Sequence, residues 1–477
     1  MKAITDFLLP IVQTVNAYLS DYVLIFLLVG VGLFYTIRTR FVQVRCFGEG
    51  MRSVFGNISL RGGKNKGGLS SFQALATAIA AQVGTGNIVG ACGAILVGGP
   101  GAIFWMWVIA FFGMATIYAE AVLAQETKVV DADGHVQGGP VYYIRRAFKG
   151  KFGKFLAGFF AVAITLALGF MGSMVQSNSI AEATGNAFHI DGWIIGVVLA
   201  ALCAFIFIGG VQRIASVAEK IVPIMAVVYL VLGLVVLGVN YAKIPETFGM
   251  IFKYAFVPQA ILGGAFGAGI KAAISQGAKR GLFSNEAGMG STPHAHAQAN
   301  VKTPHEQGVV AMIGVFIDTF VVLTITALVV ISTLYAGNGP LSTPELLAAN
   351  TDITKANMMQ TAMGQIFGTV AGNIIVAICL TFFAFTTIIS WNFFGKLNVQ
   401  YLFGKKAAVV YSILAIGFIF LGTLFPNDLV WELADMFNNI MVIPNALALF
   451  ALSAIVVGAL KARKKKEKKV KVSEEQN

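Results

Sequence analysis

A short run of polar and glycine residues inside an apolar stretch holds the side chains best able to do chemistry. Gln82 and Asn87 supply amide oxygens, Thr85 supplies a hydroxyl group, and Gly84 and Gly86 flank Thr85. Because glycine costs about 1 kcal/mol relative to alanine in a helix, this pattern predicts a helix break, whose freed backbone groups need partners where water is absent. N–H groups at a half-helix start suit a carboxylate, and freed carbonyls with an amide oxygen suit Na⁺. A closely packed kink is the alternative.

A second polar group lies in a late apolar stretch. Thr387 is followed by Ser390 and Trp391, at helical spacings of three and four residues, so all three share one helix face. Hydroxyl groups followed one turn later by an aromatic ring suit a cation and the wall of a small pocket. Alternatively, Thr387 bonds a carbonyl of its own helix and Trp391 anchors the chain at a membrane interface.

Other polar residues in apolar stretches are more isolated. Gln176 follows Phe170 in a methionine-containing stretch, where core packing is the default interpretation. Lys271 and Asp318 are charges inside apolar segments, which are costly in a membrane and often functional. The two could pair, or Lys271 could extend to an interface, and Asp318 is a candidate coupling residue. Structural ion pairs are expected for Glu120, Glu219 and Glu286.

Composition indicates the environment of these residues. Hydrophobic residues make up 57% of the 477, charged residues only 12%, and the mean hydropathy is +0.77. Soluble domains carry about 25% charged residues, and a soluble protein of this composition would expose too much apolar surface. The chain is therefore predicted to be an all-α polytopic membrane protein whose surroundings are a lipid bilayer.

Apolar runs between charged or Gly/Pro-rich connections predict eleven transmembrane helices. They span residues 21–37, 70–97, 100–125, 155–182, 191–211, 216–239, 258–290, 307–335, 361–392, 407–425 and 429–459. The first twenty residues are expected to form a short interfacial amphipathic helix. With the N-terminus outside, 29 of the 34 Lys and Arg residues fall on the cytoplasmic side, as the positive-inside rule requires. The C-terminus is then cytoplasmic.

This bias explains most of the net charge of +12, so no nucleic-acid partner is expected. Residues 461–477 form a basic cytoplasmic tail. The tail could bind anionic lipid, although a solvated, topology-determining tail is the favoured interpretation.

Internal symmetry is visible in the polar interruptions. The second span contains the run 80–87, and the seventh contains glycines at 263–269 followed by 275–277. Five spans separate their starts, so the two helices enter from opposite faces. Two five-helix units of inverted topology, here repeat one at 69–240 and repeat two at 258–460, are typical of transporters. Residues 1–460 are thus predicted to form one transport domain.

No enzymatic constellation is present. The sequence lacks Walker A, G-x-S-x-G and H-E-x-x-H motifs, and His294 and His296 lack the neighbours of a metal site. Neither an enzyme nor a bound cofactor is expected. A channel is a weaker alternative, because the polar residues cluster at interrupted helices rather than in a continuous ring.

Three longer blocks carry a family resemblance: Gly98–Trp107, Gly67–Leu75 and Lys279–Ser291. With the eleven-span layout, the chain resembles the alanine/glycine:cation symporter family, also called sodium:alanine symporters, over nearly its whole length. The resemblance implies a leucine-transporter-like core of five plus five inverted helices, formed by spans 2–6 and 7–11, with the first span as an addition.

The resemblance also implies roles for single residues. The backbone of Thr85 and Gly86 would hold a substrate carboxylate, and Asn87 would contact ion or substrate. Gln82, Gln176 and Thr387 complete the expected substrate site, and aromatic rings would close a small pocket, which suits Phe170 and Trp391. The expected Na⁺ ligands are the carbonyls of Ala80 and Val83 and the side chains of Thr386 and Thr387.

The function implied is Na⁺-coupled symport of small neutral amino acids, alanine and glycine, into the cell, with Na⁺ as a co-transported ion. Proton coupling is the alternative, although no clear titratable group is expected in the site. A bacterial or archaeal plasma membrane is implied. The preferred amino acid and enantiomer, the stoichiometry and the oligomeric state stay open.

Overall fold

The computed structural model describes residues 2–56, 69–131, 134–208, 210–257 and 266–474. The first half contains helices α1 Lys2–Tyr18, α2 Ile25–Arg38, α3 Val42–Arg45, α4 Phe47–Phe55, α5 Ser71–Gln82, α6 Ala91–Gly98, α7 Ala102–Thr127, α8 Pro140–Ala147, α9 Gly150–Ile164, α10 Ser173–Phe188, α11 Gly192–Ile208, α12 Gly210–Val239 and α13 Ile244–Phe256. The second half contains α14 Phe266–Asn285, α15 Pro293–Ala297, α16 Pro304–Val315, α17 Thr324–Val330, α18 Pro344–Ala349, α19 Met358–Phe367, α20 Thr369–Phe403, α21 Ala407–Gly422, α22 Asn427–Ala451 and α23 Ser453–Glu474.

Shorter elements join these helices. One antiparallel hairpin pairs β1 Val129–Val130 with β2 Val136–Gln137. The π-helical turns are Leu19–Leu24, Gly86–Gly90, Thr165–Gly172, Phe316–Leu323 and Ile331–Tyr335, and Tyr241–Lys243 is a 3₁₀ turn.

The prediction of a polytopic helical membrane protein is confirmed. Among the described residues, seven helical segments are long and apolar enough to cross a membrane, and the bent pair α5 and Gly86–Gly98 adds an eighth. Every one of the eleven predicted spans overlaps a helix, although α11 and α21 are shorter, at 17 and 16 residues. The start of the seventh predicted span, residues 258–265 with the first glycines of its run, lies outside the described residues.

The N-terminal segment differs from its prediction. Instead of a separate interfacial helix before residue 21, a helical segment of 35 residues runs from Ile4 to Arg38. Two of its polar residues, Asn16 and Ser20, are buried against α22. The Asn16 amide donates to the backbone and side chain of Glu432 at 2.8 and 2.6 Å. Further along, Asn439 donates to the Ser20 hydroxyl at 2.7 Å. These polar contacts hold α1 against the helix bundle.

The predicted helix break after Gln82 is confirmed. A capping box starts α5: the Ser70 hydroxyl accepts from Gln73 N at 3.0 Å, and the Gln73 side chain accepts from Ser70 N at 3.1 Å. The helix ends at Gln82, Val83 leaves helical geometry at ψ 89°, and the chain resumes as a helix at Gly86 with a bend of 47°. The break therefore lies inside a span, where the glycines placed it.

Packing separates inner from outer helices. In α7, α20 and the segment Pro304–Tyr335, 67% of the most apolar window is buried, against 33% in α12. The broken span is enclosed by inner helices, because every residue from Ala74 to Ile95 is buried. This enclosure keeps the freed backbone groups of the break away from lipid.

The Gly-rich turn between α6 and α7 lets the start of α7 approach the backbone of α13 closely. Gly99 has φ +72°, a conformation that favours glycine. The indole of Trp105 donates to Ala255 O at 3.1 Å, which joins α7 to α13. A Cβ on Gly101 would overlap the backbone of Tyr254 and Ala255.

Gly101→Ala is therefore expected to destabilise the fold. Overpacking of this kind costs about 1–3 kcal/mol, which would lower the unfolding temperature of the detergent-purified protein. Gly30→Ala is the matched control, because nothing lies within 4 Å of the Cβ position there. Equal unfolding temperatures for the two variants would contradict the packing described for α7 and α13.

Candidate functional site

One nearby and one distant side chain satisfy two backbone N–H groups at the helix break. Gly84 N donates to Asn87 Oδ1 at 2.9 Å, and Thr85 N donates to Gln176 Oε1 of α10 at 3.1 Å. The Thr85 hydroxyl is buried and has no hydrogen-bond partner among the described residues. The break thus carries an unused hydroxyl beside two N–H groups whose present partners are side chains.

Gln82 contributes a second unused oxygen. Its Nε2 donates to Asn285 O at 2.7 Å, which ties the end of α5 to the end of α14. Its Oε1 is buried and also lacks a partner among the described residues. Buried polar atoms usually have a hydrogen-bond partner, so these two oxygens beside the break are available to a ligand.

Glycine is required at the break because other helices approach its backbone. A Cβ on Gly86 would lie 2.9 Å from Ser284 Cα, and one on Gly84 would lie 3.1 Å from Gln176 Oε1 and overlap the Thr387 hydroxyl. The break is therefore enclosed by α10, α14 and α20. The structure therefore brings the polar run at the break and the later polar group that contains Thr387 together here.

A buried carboxylate lies directly beside the break. Asp318 is 0% exposed, and its Oδ1 accepts from Asn87 Nδ2 at 2.6 Å. The Ser284 hydroxyl lies 3.0 Å from both carboxylate oxygens, and the Thr319 hydroxyl donates to Oδ2 at 2.7 Å. No cationic side chain of the described residues pairs with it. All three donors are neutral groups, and they come from three helical segments.

One prediction about charges in the membrane is wrong, and one of two alternatives left open by the sequence is not observed. The expectation that the site holds no titratable group fails, because Asp318 contacts Asn87. Asp318 does not pair with Lys271 either, whose Nζ lies 5.2 Å from the centre of the Tyr22 ring on the N-terminal segment. Sequence distance hid this arrangement, since Asn87 and Asp318 are 231 residues apart.

The expected Na⁺ ligands are brought together only in part. Thr387 Oγ1 lies 3.0 Å from Ala80 O in the last turn of α5, and 3.0 Å from Phe383 O of its own helix. Thr386 Oγ1 instead contacts the carbonyl of Phe383 at 2.9 Å and the sulfur of Met225 in α12 at 3.7 Å. Val83 follows the last turn of α5, with its N–H bonded to Ile79 O at 2.7 Å. The Thr386 side chain thus faces α12 rather than α5.

The two aromatic residues assigned to the pocket lie in different surroundings. Trp391 is buried, with its ring edge-on to Phe283 at 5.7 Å, and a Cβ on Gly172 would lie 2.5 Å from its ring. Phe170 is stacked on Phe418 of α21 at 4.6 Å. The structure places Trp391 against α14 and the end of the turn Thr165–Gly172, and Phe170 against α21, so it does not bring these two rings together.

Two buried glutamates support the turn that follows α14. Glu286 accepts from the Trp391 indole at 2.5 Å and from the Ser291 hydroxyl. Glu120 accepts from Gly288 N and Gly290 N, each at 3.0 Å. The predicted ion pairs of Glu120 and Glu286 are wrong, because both carboxyl groups are fully buried among neutral donors.

The other polar residues singled out in the sequence have structural partners. Glu219 accepts from Gln73 Nε2 at 3.0 Å. His294 lies 2.8 Å from the Asn398 amide, and His296 lies 2.9 Å from the Gln307 amide. Each imidazole is thus part of a buried hydrogen-bond network.

Residues beyond the break cover it on one side. Arg280 of α14 forms two hydrogen bonds with Asp435 of α22, at 3.1 and 2.8 Å, and its guanidinium lies 4.7 Å from the Trp431 ring centre. Trp431 also packs on Phe283 at 4.8 Å. A Cβ on Gly90, one turn beyond the break, would lie 3.6 Å from Trp431. This cover joins the two helices α14 and α22 over the broken span.

Four residues of this region had no predicted role: Ser284, Arg280, Asp435 and Trp431. One signal was available for the first two, since both fall in the block Lys279–Ser291 that carries the family resemblance. Asp435 and Trp431 left no comparable signal, because an acidic and an aromatic residue at the start of an apolar helix fit an interface equally well.

Two solved structures share this fold. MhsT in complex with L-phenylalanine matches with a TM-score of 0.58 and 14% identity, covering 83% of this chain and 98% of that chain. A mutant of the Eremococcus coleocola manganese transporter matches with a TM-score of 0.53 and 14% identity, covering 84% of this chain and 82% of that chain. At such identities the likeness concerns the fold alone.

Sequence relatives are much more similar. The sodium/alanine symporter AgcS of Methanococcus maripaludis is 42% identical, over 95% of this chain and 96% of that protein. The amino-acid carrier protein AlsT of Bacillus subtilis is 38% identical, over 94% of this chain and 91% of that protein. The model of the sodium:alanine symporter family matches residues 5–477. The chain therefore belongs to the sodium:alanine symporter family and is a membrane transporter, not an enzyme.

Proposed function

We propose that this protein is a Na⁺-coupled symporter that carries small neutral amino acids, alanine and glycine, into the cell. The observation that carries the proposal is the broken span with its unused buried oxygens, Thr85 Oγ1 and Gln82 Oε1. An ammonium group can donate to such oxygens and Na⁺ can be coordinated by them. Family membership and the name of AgcS as a sodium/alanine symporter support the same choice of substrate and ion.

The substrate is proposed to bind at the break. Its carboxylate would take the N–H groups of Thr85 and Gly86, with Gln176 Oε1 giving up its bond to Thr85 N. Asn87 and Gln82 would contact ion or substrate. Trp391 would form part of the wall, whereas Phe170 would have to leave its stack on Phe418 to take part. A small closed space suits a side chain no larger than a methyl group.

The Na⁺ ion is proposed to bind between the end of α5 and α20. Ala80 O and Thr387 Oγ1 are already in contact there, and the carbonyl of Val83 follows one turn later. Thr386 would need to turn from Met225 toward α5 to join them. Oxygen ligands of this kind suit a hard monovalent cation, since none of them carries a charge.

Proton coupling is the second candidate, and Asp318 is the observation that favours it. A fully buried carboxyl group beside Asn87 can hold a proton or face a cation. The isolated charged form is costly in such surroundings. Each possibility makes Asp318 a participant in coupling, because its charge has no cationic partner among the described side chains.

Alternating access is proposed as the mechanism, with eleven crossings arranged as a leucine-transporter-like core of five plus five helices after an added first span. The N-terminus would be outside and the C-terminus cytoplasmic, in the plasma membrane. Na⁺ and amino acid would raise each other's affinity by the same factor, because binding is linked. The cover formed by Arg280, Asp435 and Trp431 would then close the outer side, and opening would require its contacts to separate.

Uptake of radiolabelled alanine into proteoliposomes tests the proposal. With an inward Na⁺ gradient, uptake is expected to exceed that with choline replacing Na⁺. Uptake that ignores Na⁺ and follows a pH gradient would establish proton coupling instead. Absence of alanine and glycine uptake under every gradient would show that the substrate assignment is wrong.

Trp391→Phe is expected to relax the preference for small side chains. The change removes ring volume from the proposed wall and the indole donor to Glu286. A pocket distinguishes one methylene by about 1–3 kcal/mol, so the ratio of glutamine to alanine uptake should rise about tenfold.

Trp193→Phe is the matched control for this substitution, because Trp193 is 53% exposed on α11. The control should keep the wild-type ratio. An unchanged ratio in Trp391→Phe, with alanine uptake intact, would remove Trp391 from the pocket wall.

A further inference from the structure

A basic recess lies at the end of the N-terminal helical segment, where it meets the start of the C-terminal helix α23. Its volume is about 350 Å³. Its lining combines four cationic side chains with a threonine and two apolar side chains: Arg38, Arg40, Arg45, Lys461, Thr39, Val457 and Leu460. These seven residues are the basic recess, and no acidic side chain of the described residues lines it.

The cations of the basic recess are not neutralised by the described part of the chain. Arg45 donates to the carbonyls of Thr39 and Arg40 at 3.3 and 3.1 Å, so its charge is used only against backbone dipoles. The Arg38 guanidinium lies 5.7 Å from the centre of the Phe34 ring. No described carboxylate pairs with Arg38, Arg40 or Lys461. Several like charges around one small space repel each other unless an anion lies between them.

The backbone forces this convergence. Arg40 and Phe41 both have φ +57°, which is uncommon for residues other than glycine. These two residues turn the chain between α2 and α3, so that cations before, within and after the turn line one recess. Local strain of this kind persists only where the surroundings maintain it.

A separate ion pair holds α23 in place. Arg463 pairs with Glu49 of α4 at 2.8 Å and donates to the sulfur of Cys46 at 3.2 Å. Burial works against the charge of Glu49, but the hydrogen bond from His305 and the charges of Arg463 and Arg52 hold the pKa of its carboxyl below its ordinary value. Glu49 therefore stays anionic, and its ion pair with Arg463 holds the start of α23 beside the recess.

The surroundings place the basic recess at the level of lipid headgroups. It lies at the end of the candidate span Ile4–Arg38. Apolar side chains beside it are exposed: Ile37 by 61%, Phe41 by 50% and Val44 by 58%. Such side chains belong in the acyl region, and arginines at a span end reach toward phosphate.

From this geometry we infer that the basic recess is a binding site for a phosphate group, supplied by the headgroup of an anionic phospholipid. Planar guanidinium groups bind phosphate oxygens in pairs, and Lys461 adds a point charge from a second helix. Val457 and Leu460 offer an apolar side to the attached glycerol and chains. In the proposed orientation this is the cytoplasmic leaflet, where anionic lipid attracts basic segments.

The excess of positive charge expected on the cytoplasmic side would not by itself produce such a site. That excess requires cations only on one side of the membrane, not around one recess. Lys149, Lys151 and Lys154 illustrate that case: they are exposed around the start of α9 and line none of the described pockets. These three lysines provide a matched control for a variant that removes three of the four charges of the recess.

The test measures thermal unfolding of the full-length protein in neutral detergent during titration with short-chain phosphatidylglycerol. Wild type and Lys149→Gln/Lys151→Gln/Lys154→Gln are expected to be stabilised at the same lipid concentration. The variant Arg38→Gln/Arg40→Gln/Lys461→Gln should need roughly 100-fold more lipid, since each cation near anionic lipid contributes about a factor of five. Because the triple variant could fold poorly, Arg40→Gln alone is included, with an expected loss of about fivefold.

Titrations with two other compounds identify the source of the phosphate group. Phosphatidylcholine should stabilise the wild type little, and inorganic phosphate at the same concentrations should neither stabilise it nor compete with phosphatidylglycerol. Equal stabilisation by phosphatidylcholine, or unchanged lipid dependence in both recess variants, would overturn the site. Full competition by inorganic phosphate would overturn the lipid as its ligand.

Discussion

Asp318→Asn is expected to abolish gradient-driven alanine accumulation while leaving the protein folded. Asparagine keeps the shape of the side chain but removes its charge, and it places an amide where Asn87, Ser284 and Thr319 all donate. Removing one partner of a buried charge pair, here the carboxylate that would face the transported cation, costs about 2–5 kcal/mol, so apparent cation affinity should fall at least about 30-fold. Alanine uptake at several Na⁺ concentrations measures this loss.

The control for this prediction is Asp191→Asn, the same substitution at an exposed aspartate in the turn before α11. It should retain wild-type uptake and Na⁺ dependence. If Asp318→Asn also retained both, the carboxylate would be structural and coupling would depend on neutral oxygens alone. If the variant became independent of pH and kept its Na⁺ dependence, Asp318 would be the carrier of a proton rather than a partner of Na⁺.

Asn87→Ala is expected to reduce alanine uptake at least about 100-fold, because it removes three bonds at the break. The amide oxygen accepts from Gly84 N at 2.9 Å, and the amide nitrogen donates to the side chain and backbone of Asp318 at 2.6 and 3.2 Å. Each buried group left without its partner costs about 1–3 kcal/mol. The ends of the break would lose their geometry as well as a ligand contact.

A measurement of equilibrium alanine binding distinguishes a loss of substrate affinity from a defect in the conformational step. Alanine binding to purified protein, measured with saturating Na⁺, should weaken along with uptake in Asn87→Ala. Asn300→Ala is the matched control, since Asn300 is exposed and pairs with Leu69 through its backbone. Normal binding together with lost uptake would move Asn87 from the binding site to the conformational step, and normal uptake would exclude it from both.

The N-terminal segment shows why some local predictions fail. Residues 1–20 have the amphipathic pattern of an interfacial helix, yet Asn16 and Ser20 are buried against α22. A single polar residue on a helix face has the same pattern whether its partner is water or a helix more than 400 residues away. The partner, and therefore the position of the helix, is not contained in the local sequence.

The sequence by itself determined the features that depend on local chemistry and on summed hydrophobicity. Composition required a membrane, apolar runs located the helices, and Gly84 and Gly86 placed the break, because each of these is decided within one segment. Only the tertiary structure decided which polar groups meet. It brought Asp318 to Asn87, Thr387 to Ala80 and Phe170 to Phe418, because a helix periodicity defines a face but not the neighbour against which that face packs.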